Sequence, residues 1–413
     1  MKVLVFTNLY PNNVWPNHGV FIKERMTHFS RLEGCEIKVV APVPYFPPIK
    51  VNWRWQFSQV APHEIRDGLD VYHPRYFMTP KVGMSIYGVL MFLSVLPTVC
   101  RLRKTFDFEL IDAHFVYPDG LAAVLLGKYF RKPVVVSARG SDVNLYCRFP
   151  IIRRILRYTL NQAQGVIAVS RTLRRTLADI GVPENKITVI PNGVDFKKFY
   201  PVDKVEARRI LGLPEKWILL AVGSFTSNKG MDLLIKAFER WTRQPGHAGY
   251  LVIVGDGVLR PQLENLVSRL GLASQVRLVG VIPHEKLFLW YNAADLFCLM
   301  SKSEGWPNVV LESLACGTPV LAAAAGGIPE IICSDAVGSL IEREESKIAD
   351  ALQASLNAHW HRDQIVNWAK TFSWGHAALA LRELFDTILK VSHEGILDNA
   401  SRGDDAEKCV TQE

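Results

Sequence analysis

A chain of 413 residues exceeds what one hydrophobic core usually supports, so two domains of roughly 200 residues each are expected. Its seven cysteines are odd in number, scattered and without a Cys-x-x-Cys pair, which excludes a disulfide framework or zinc site and fits a reducing, cytosolic setting. Residues 1–190 hold 25 Lys+Arg against 13 Asp+Glu, a surplus of 12 in a chain whose total is +8, so the remainder stands at −4. The basic half is expected to face an acidic partner, whether a phosphorylated acceptor or an anionic membrane surface. Nucleic acid is set aside, because no recognised binding module accompanies the charge.

The N-terminus, Met1-Lys2-Val3-Leu4-Val5-Phe6, runs straight into a strand (3–7) without a signal-peptide apolar region, so no export is expected. A Pro/Asn-rich loop leads to Gly19 and an amphipathic helix (20–32), then a strand (36–42) and an irregular Pro/aromatic excursion (42–55). The apolar run 84–100 is interrupted by Ser85, Gly88, Ser94 and Pro97 and falls short of the roughly 20 residues of a bilayer span, so it reads as part of a buried or interfacial helix, 86–106. Strands 110–113, 133–137, 165–169 and 186–190 then alternate with helices 119–129, 151–164 and 172–180. That rhythm implies a parallel sheet covered on both faces.

Pro191-Asn192-Gly193 breaks the pattern and marks a domain junction. Beyond it, strands 217–222, 250–254, 276–279, 296–300 and 319–322 alternate with helices 231–241, 259–270 and 285–293. Two helices joined near Ser373-Trp374-Gly375 finish the fold, and the polar residues after 392 read as a disordered tail.

The most informative stretch is Ser303-Glu304-Gly305-Trp306-Pro307-Asn308-Val309-Val310-Leu311-Glu312, continuing to Cys316-Gly317. It reads as a loop ending in a helix over 307–316, with Pro307 at the first helical position and Gly317 just past the end. Free amides at such a helix start attract a phosphate, while ionised Glu304 and Glu312 can only accept hydrogen bonds, for example from sugar hydroxyls. The combination suits a nucleotide sugar. The plainer reading, two surface glutamates near a helix start, explains the pair but not its neighbours.

Other candidates follow strands. Lys229 lies in Gly223-Ser224-Phe225-Thr226-Ser227-Asn228-Lys229-Gly230, where it is either a phosphate ligand or a solvated turn lysine. Gly255-Asp256-Gly257 falls short of a dinucleotide fingerprint because position 260 is Arg. His114 and the loop Arg139-Gly140-Ser141-Asp142 fall at the carboxyl edge of the first sheet, where α/β proteins bind ligands. Arg148, Arg153, Arg154 and Arg157, interleaved with Ile151, Ile152, Ile155 and Leu156, form a basic amphipathic helix. It either rests on anionic lipid, holds an acceptor's phosphates, or packs on the core with a solvated basic face. No Asp-x-Asp metal motif is present.

The Glu304-x7-Glu312 arrangement with Ala315-Cys316-Gly317-Thr318-Pro319-Val320, together with Gly19, Asn192-Gly193-Val194-Asp195, Lys229-Gly230, Gly255-Asp256-Gly257 and Phe372-Ser373-Trp374, resembles glycosyltransferase family 4 over most of the chain. His18-Gly19-Val20-Phe21-Ile22-Lys23, Ala41-Pro42-Val43-Pro44 and Arg139-Gly140-Ser141-Asp142 are most similar to its teichuronic-acid-type members. The resemblance implies an α/β GT-B fold: two Rossmann-like, doubly wound parallel-sheet domains (1–191 and 192–373) facing across a cleft, a helix (374–392) crossing back, and a tail (393–413). It implies a transferase that moves a sugar from a nucleotide-diphosphate donor to a polysaccharide, lipid-linked or other glycan acceptor, and the cysteine pattern and basic half add the expectation of a cytoplasmic enzyme, peripheral at the inner face of the cytoplasmic membrane. Retention of anomeric configuration, no cofactor and no metal are expected.

By the same resemblance, Glu312 holds the ribose, Glu304 the transferred sugar and Lys229 the diphosphate. Gly19, Ser224, Gly257, Gly305, Trp306, Pro307, Asn308 and Val309 complete the donor site. Catalytic positioning falls to Glu304, Lys229, His114 and Asp142, and the acceptor side to Arg139, Asp142 and Arg153. Ser224 stands where the family typically has arginine, and Arg139 where many relatives have histidine. A nucleotide-sugar epimerase or phosphorylase on the same fold, and a non-enzymatic basic binding protein, are the alternatives.

Overall fold

The computed structural model describes residues 1–78 and 83–409. The chain divides into two compact units: Met1–Val169, Arg174–Ile190 and the residues from Gly375 onward form the first, Ser170–Leu173 and Pro191–Trp374 the second. In the first half of the chain the strands are β1 (Lys2–Phe6), β2 (Glu36–Val40), β3 (Val43–Pro44), β4 (His63–Arg66), β5 (Leu69–Tyr72), β6 (Arg75–Tyr76), β7 (Leu110–His114), β8 (Val134–Ala138), β9 (Gly165–Ala168) and β10 (Ile187–Val189). Its helices are α1 (Val20–Ser30), α2 (Tyr87–Arg103), α3 (Leu121–Phe130), α4 (Ser141–Asn144), α5 (Pro150–Gln162) and α6 (Arg171–Asp179).

These strands make an eight-stranded sheet in the order β10-β9-β8-β7-β1-β2-β5-β4, with β3 and β6 paired separately. Val3 to Phe6 are fully buried, as the continuous apolar run of a central parallel strand requires. Val5 is flanked by Val39 of β2 and Asp112 of β7, which places a carboxylate in the middle of the sheet. β4 and β5 lie beyond the irregular stretch expected over 42–55 and were not expected from the sequence. They form a two-residue hairpin, Arg66 opposite Leu69, turned by Asp67 (φ 48°) and Gly68 (φ 83°). Asp-Gly suits a turn needing two left-handed residues.

In α2, Gly88 is a packing residue: a Cβ there would lie 2.7 Å from Leu121 Cδ2. The helical run extends to Arg103, and Met84–Arg103 reaches 20 residues, long and apolar enough by length and composition to cross a membrane. It buries Met91, Val95 and Val99, while Ile86, Val89 and Leu93 remain exposed.

The second unit contains α7 (Lys204–Leu211), β11 (Trp217–Val222), α8 (Met231–Thr242), β12 (Gly249–Val254), α9 (Arg260–Arg269), β13 (Val276–Gly280), α10 (Leu287–Ala293) and β14 (Leu296–Leu299). It continues with α11 (Asn308–Ala315), β15 (Val320–Ala323), α12 (Ile328–Ile331), β16 (Gly338–Ile341), α13 (Glu345–Asn357) and α14 (Arg362–Ala369). Its six strands are parallel, in the order β13-β12-β11-β14-β15-β16. Leu234, Ile235, Phe238 and Trp241 of α8 pack with Ile348 and Leu352 of α13 in one buried cluster. The chain's entry into and exit from this unit run together, with Val194 bridging Ser373 and its N–H donating to the Phe372 carbonyl at 2.9 Å.

Two expected boundaries are corrected. Pro307 is the residue before α11 rather than its first residue: its ψ of 104° is extended, and the helix begins at Asn308. Gly317 takes the left-handed φ of 78° just past the helix end. The last helix, α15, spans Trp374–Cys409 rather than ending at 392, since no proline after Pro329 interrupts it. Residues 410–413, the end of the expected tail, lie outside the described residues. On the first unit, Phe385 of α15 meets Phe29 edge to face at 5.5 Å, and the Arg382 guanidinium donates to the Glu33 carbonyl at 2.9 Å.

Candidate functional site

Chain order in the second sheet runs outward from β11 through β12 to β13, then restarts on β11's other side with β14. The loops after β11 and β14 therefore leave the sheet in opposite directions and open the crevice where such sheets bind ligands. Lys229 lies on the first of these loops and Glu304 on the second. Their side chains meet, Lys229 Nζ donating to Glu304 Oε1 at 2.5 Å. Backbone bonds lock the loops together: Lys302 N–H donates to the Asn228 carbonyl at 2.7 Å, and Asn228 Nδ2 to the Ser303 carbonyl at 2.9 Å.

Glycines hold this arrangement. A Cβ on Gly326 would lie 1.7 Å from the Glu304 carbonyl oxygen, and one on Gly327 2.3 Å from that of Gly305. Gly257, beside the first loop, would bring a Cβ to 2.7 Å from the Phe225 carbonyl oxygen. Ser224, on that loop, is exposed. Arg260 turns away into pairs with Glu264 at 2.8 Å and Asp256 at 3.4 Å.

Glu312, in the second turn of α11, is only 5 % exposed. Its Oε1 faces His284 Nε2 at 2.8 Å, and its Oε2 accepts from the Tyr291 hydroxyl at 2.8 Å. Burial, reinforced by the Glu312 carboxylate, holds the Tyr291 phenol in its protonated form. A carboxylate offers about four acceptor positions, so two such partners leave capacity for a ligand hydroxyl. Trp306 is buried, its indole N–H donating to the Asn192 carbonyl at 3.1 Å and its ring against Phe372 at 5.6 Å. Asn308 Oδ1 accepts from Asn192 Nδ2 at 2.9 Å. The side chains of Trp306 and Asn308 are thus both engaged by Asn192.

In the first unit, His114, Arg139 and Asp142 are brought together. His114 is fully buried, its Nδ1 against the Arg139 guanidinium and its Nε2 3.1 Å from Asp112 Oδ2. Burial drives its pKa down to about 4, so the ring is neutral at pH 7. Arg139, 7 % exposed, lies over the Phe21 ring at 5.3 Å. Burial also holds its pKa well below the usual arginine value.

Asp142 has no exposed surface. It accepts from the backbone N–H groups of Arg139 (3.0 Å), Gly140 (2.9 Å) and Val116 (2.9 Å), and so ties the loop after β8 to the segment after β7. Gly19 precedes α1 with φ 69°, and a Cβ there would lie 2.3 Å from the Leu9 carbonyl oxygen. Arg153 is exposed on α5 and takes no part in the cluster.

Arg25, His284 and Tyr291 were not among the residues the sequence pointed to, while Asp112 and Asp119 lie in the segment, 112–120, that the sequence places with His114 at the carboxyl edge of the first sheet. Arg25 is fully buried and donates to the Ile190 carbonyl at 2.9 Å; its signal was a cation inside the apolar stripe Ile22, Met26, Phe29. Asp112 shares a face with His114, two residues along β7. Asp119 is fully buried, and burial raises its pKa to about 8. Nothing local to His284 or Tyr291 pointed to Glu312.

Two open α/β units, the first parallel except for its β4–β5 hairpin and the second parallel throughout, match the GT-B fold of sugar transferases. The family model for Glycosyltransferase Family 4 matches residues 20–198, and that for Glycosyl transferases group 1 matches residues 203–372. The chain is 28 % identical over 418 residues to TuaC of Bacillus subtilis strain 168, named for teichuronic acid biosynthesis, across 95 % of this chain and all of that one. To the GDP-mannose-dependent alpha-(1-6)-phosphatidylinositol monomannoside mannosyltransferase of Mycolicibacterium smegmatis it is 30 % identical over 295 residues, covering 66 % of this chain and 77 % of the relative. Among solved structures, HepE of Anabaena in complex with UDP superposes with a TM-score of 0.70 at 18 % identity, across 94 % of this chain and 100 % of that one. The chain belongs to glycosyltransferase family 4 and is a glycosyltransferase.

Proposed function

We propose that this enzyme transfers a sugar, with retention of anomeric configuration, from a nucleoside-diphosphate donor held by the second unit to a glycan or lipid-linked acceptor. The observation that carries this is the meeting of Lys229, Glu304 and the start of α11 at the switch point after β11 and β14. Lys229 has three N–H donors, one of which engages Glu304, and the others suit the diphosphate. Negative charge building on the departing phosphate is stabilised by that ammonium and by the amides at the head of α11, which is the task a metal otherwise performs. We therefore expect metal-independent turnover.

Glu304 accepts from hydroxyls of the transferred sugar. Glu312, fixed by His284 and Tyr291, presents its remaining lone pairs to the ribose. The acceptor oxygen bonds to the sugar carbon on the face the nucleotide leaves, the carbon–phosphate oxygen bond breaks, and the departing phosphate oxygen takes the acceptor's proton. No separate base is then needed. In the first unit Arg139 serves the acceptor side, with His114 and Asp142, both closed to solvent, acting through it as positioning residues. TuaC's name and the mannosyltransferase's phosphatidylinositol-based acceptor support the acceptor class. The free state of the six cysteines with described side chains supports a cytoplasmic setting.

A thermal-shift panel of UDP-, GDP- and other nucleotide sugars tests the donor. One class should raise the melting temperature with the logarithm of its concentration. Glu304→Gln should abolish turnover with that donor, EDTA should leave it unchanged, and the product anomer should match the donor's. No stabilisation by any donor removes the site assignment, and an inverted product removes the mechanism.

A further inference from the structure

The basic helix singled out in the sequence has no part in the site just described, and its outer face is unusual. Of its 13 residues none is acidic, and it buries Ile152, Leu156, Thr159 and Leu160. Outward it presents Ile151 (61 % exposed) together with Arg153, Arg154, Arg157 and Tyr158, and just before it come exposed Leu145, Arg148 and Phe149. Among the described residues, none of these four arginines pairs with a carboxylate. α5 also packs beside the turn Met84–Ile86, where Tyr117, its ring 6.1 Å from Tyr146, donates to the Met84 carbonyl. That turn ends at exposed Ile86 and leads directly into α2, where Val89 and Leu93 are also exposed.

The result is one surface on which large apolar side chains alternate with unopposed guanidinium groups, on a half-chain with a surplus of 12 positive charges. Water solvates the guanidinium groups but not the apolar side chains that protrude between them. Arginine without acidic neighbours attracts phosphate, and protruding Leu, Ile and Phe beside it suit the boundary between lipid headgroups and acyl chains. We propose that the 145–158 segment, continued by the outer stripe of α2, docks this enzyme onto an anionic lipid bilayer. The four arginines meet lipid phosphates, while Leu145, Phe149 and Ile151 enter the acyl boundary. This reading is independent of the donor assignment: it concerns where the enzyme stands, and it places turnover beside a membrane-borne acceptor.

The test is co-flotation of the full chain with phosphatidylcholine vesicles made with or without phosphatidylglycerol, at low and high salt. The chain should float with the anionic vesicles, not with pure phosphatidylcholine, and less at high salt. Arg154→Glu/Arg157→Glu should lower the partition coefficient on the order of tenfold or more, since each cation near such a surface counts for about fivefold. Phe149→Ser/Ile151→Ser should weaken binding at both salt levels while leaving turnover on a soluble acceptor unchanged. Circular dichroism and melting establish that the variants are folded. No flotation with anionic vesicles, equal flotation with neutral ones, or folded variants that partition like the parent overturns the proposal. So does salt-sensitive binding to duplex DNA without vesicle binding, which would make the face a polyanion site.

Discussion

Lys229 Nζ lies 2.5 Å from Glu304 Oε1, joining two residues 75 positions apart in the chain where the loops after β11 and β14 meet. The pair has both side chains partly exposed (20 % and 12 %). Its direct contribution to stability should be small, about 1 kcal/mol or less, as for partly solvated pairs. Its contribution to turnover should be large. Lys229→Met is expected to lower kcat by about 100- to 1000-fold, the range for losing a group that stabilises developing charge, with a melting temperature close to the parent's. Steady-state kinetics and a melt on the same preparation check both halves.

Gly326 and Gly212 give a matched pair of backbone tests. Both are left-handed, φ 56° and 61°, but a Cβ on Gly212 meets nothing within 4 Å, whereas one on Gly326 would collide with the Glu304 carbonyl. Gly212→Ala should cost about 1 kcal/mol from backbone strain alone. Gly326→Ala should cost more in urea unfolding and should also displace Glu304, so that donor stabilisation in a thermal shift is lost only in this variant.

Glu312→Ala leaves the Tyr291 hydroxyl buried without its acceptor, which costs about 1–3 kcal/mol. Adding Tyr291→Phe to it should recover part of that loss in chemical denaturation without restoring donor binding, which depends on the carboxylate itself. Recovery of both would mean that Glu312 serves only the fold.

The buried groups of the first unit give a pH signature. The carboxyl of Asp119 has its folded pKa raised to about 8 from 3.8, so the folded state keeps a proton the unfolded chain releases. Its stabilisation is complete below pH 3.8 and is lost as pH rises through 8. His114 has its folded pKa lowered to about 4 from 6.5, so its contribution is present above pH 6.5 and lost as pH falls toward 4. The two slopes oppose each other between pH 4 and 6.5, and between 6.5 and 8 only Asp119 acts. Asp119→Asn should therefore flatten the fall in stability over pH 6.5 to 8, where each proton corresponds to about 1.4 kcal/mol per pH unit. An unchanged difference curve between parent and variant across that window would exclude a protonated Asp119.

Much of this was legible because it is local. The alternation of apolar runs and helical periods yields the central strands of both sheets. Glu304 and Lys229 stand out because each precedes a glycine in a loop after a strand, and Glu312 because it follows Glu304 at a fixed spacing into the next helix. What was not legible depends on contacts across the chain. His284 and Tyr291 look like ordinary helix residues until the fold carries them to Glu312, and Asp142 reads as a loop carboxylate until three backbone amides converge on it. Gly326-Gly327 reads as a simple turn, because the carbonyls it must clear belong to residues 304 and 305. The β4–β5 hairpin was a different failure: Asp67-Gly68 stated it, in a stretch too rich in proline and aromatics to suggest strands.

The bridge between Val194 and Ser373 has a consequence for how such a chain can change. A Cβ on Gly193 would lie 2.3 Å from the Trp374 backbone nitrogen, so the two ends of the second unit are pressed side by side. Topologically, nearly the whole unit is then a single closed loop hung on one point of the chain, with no strand threaded elsewhere. A segment of that kind can be exchanged for a homologous one by two cuts at neighbouring positions, which makes it a natural cassette for recombination. Lys229, Glu304 and Glu312, assigned to the donor, travel with the cassette, and the surface proposed for lipid stays behind.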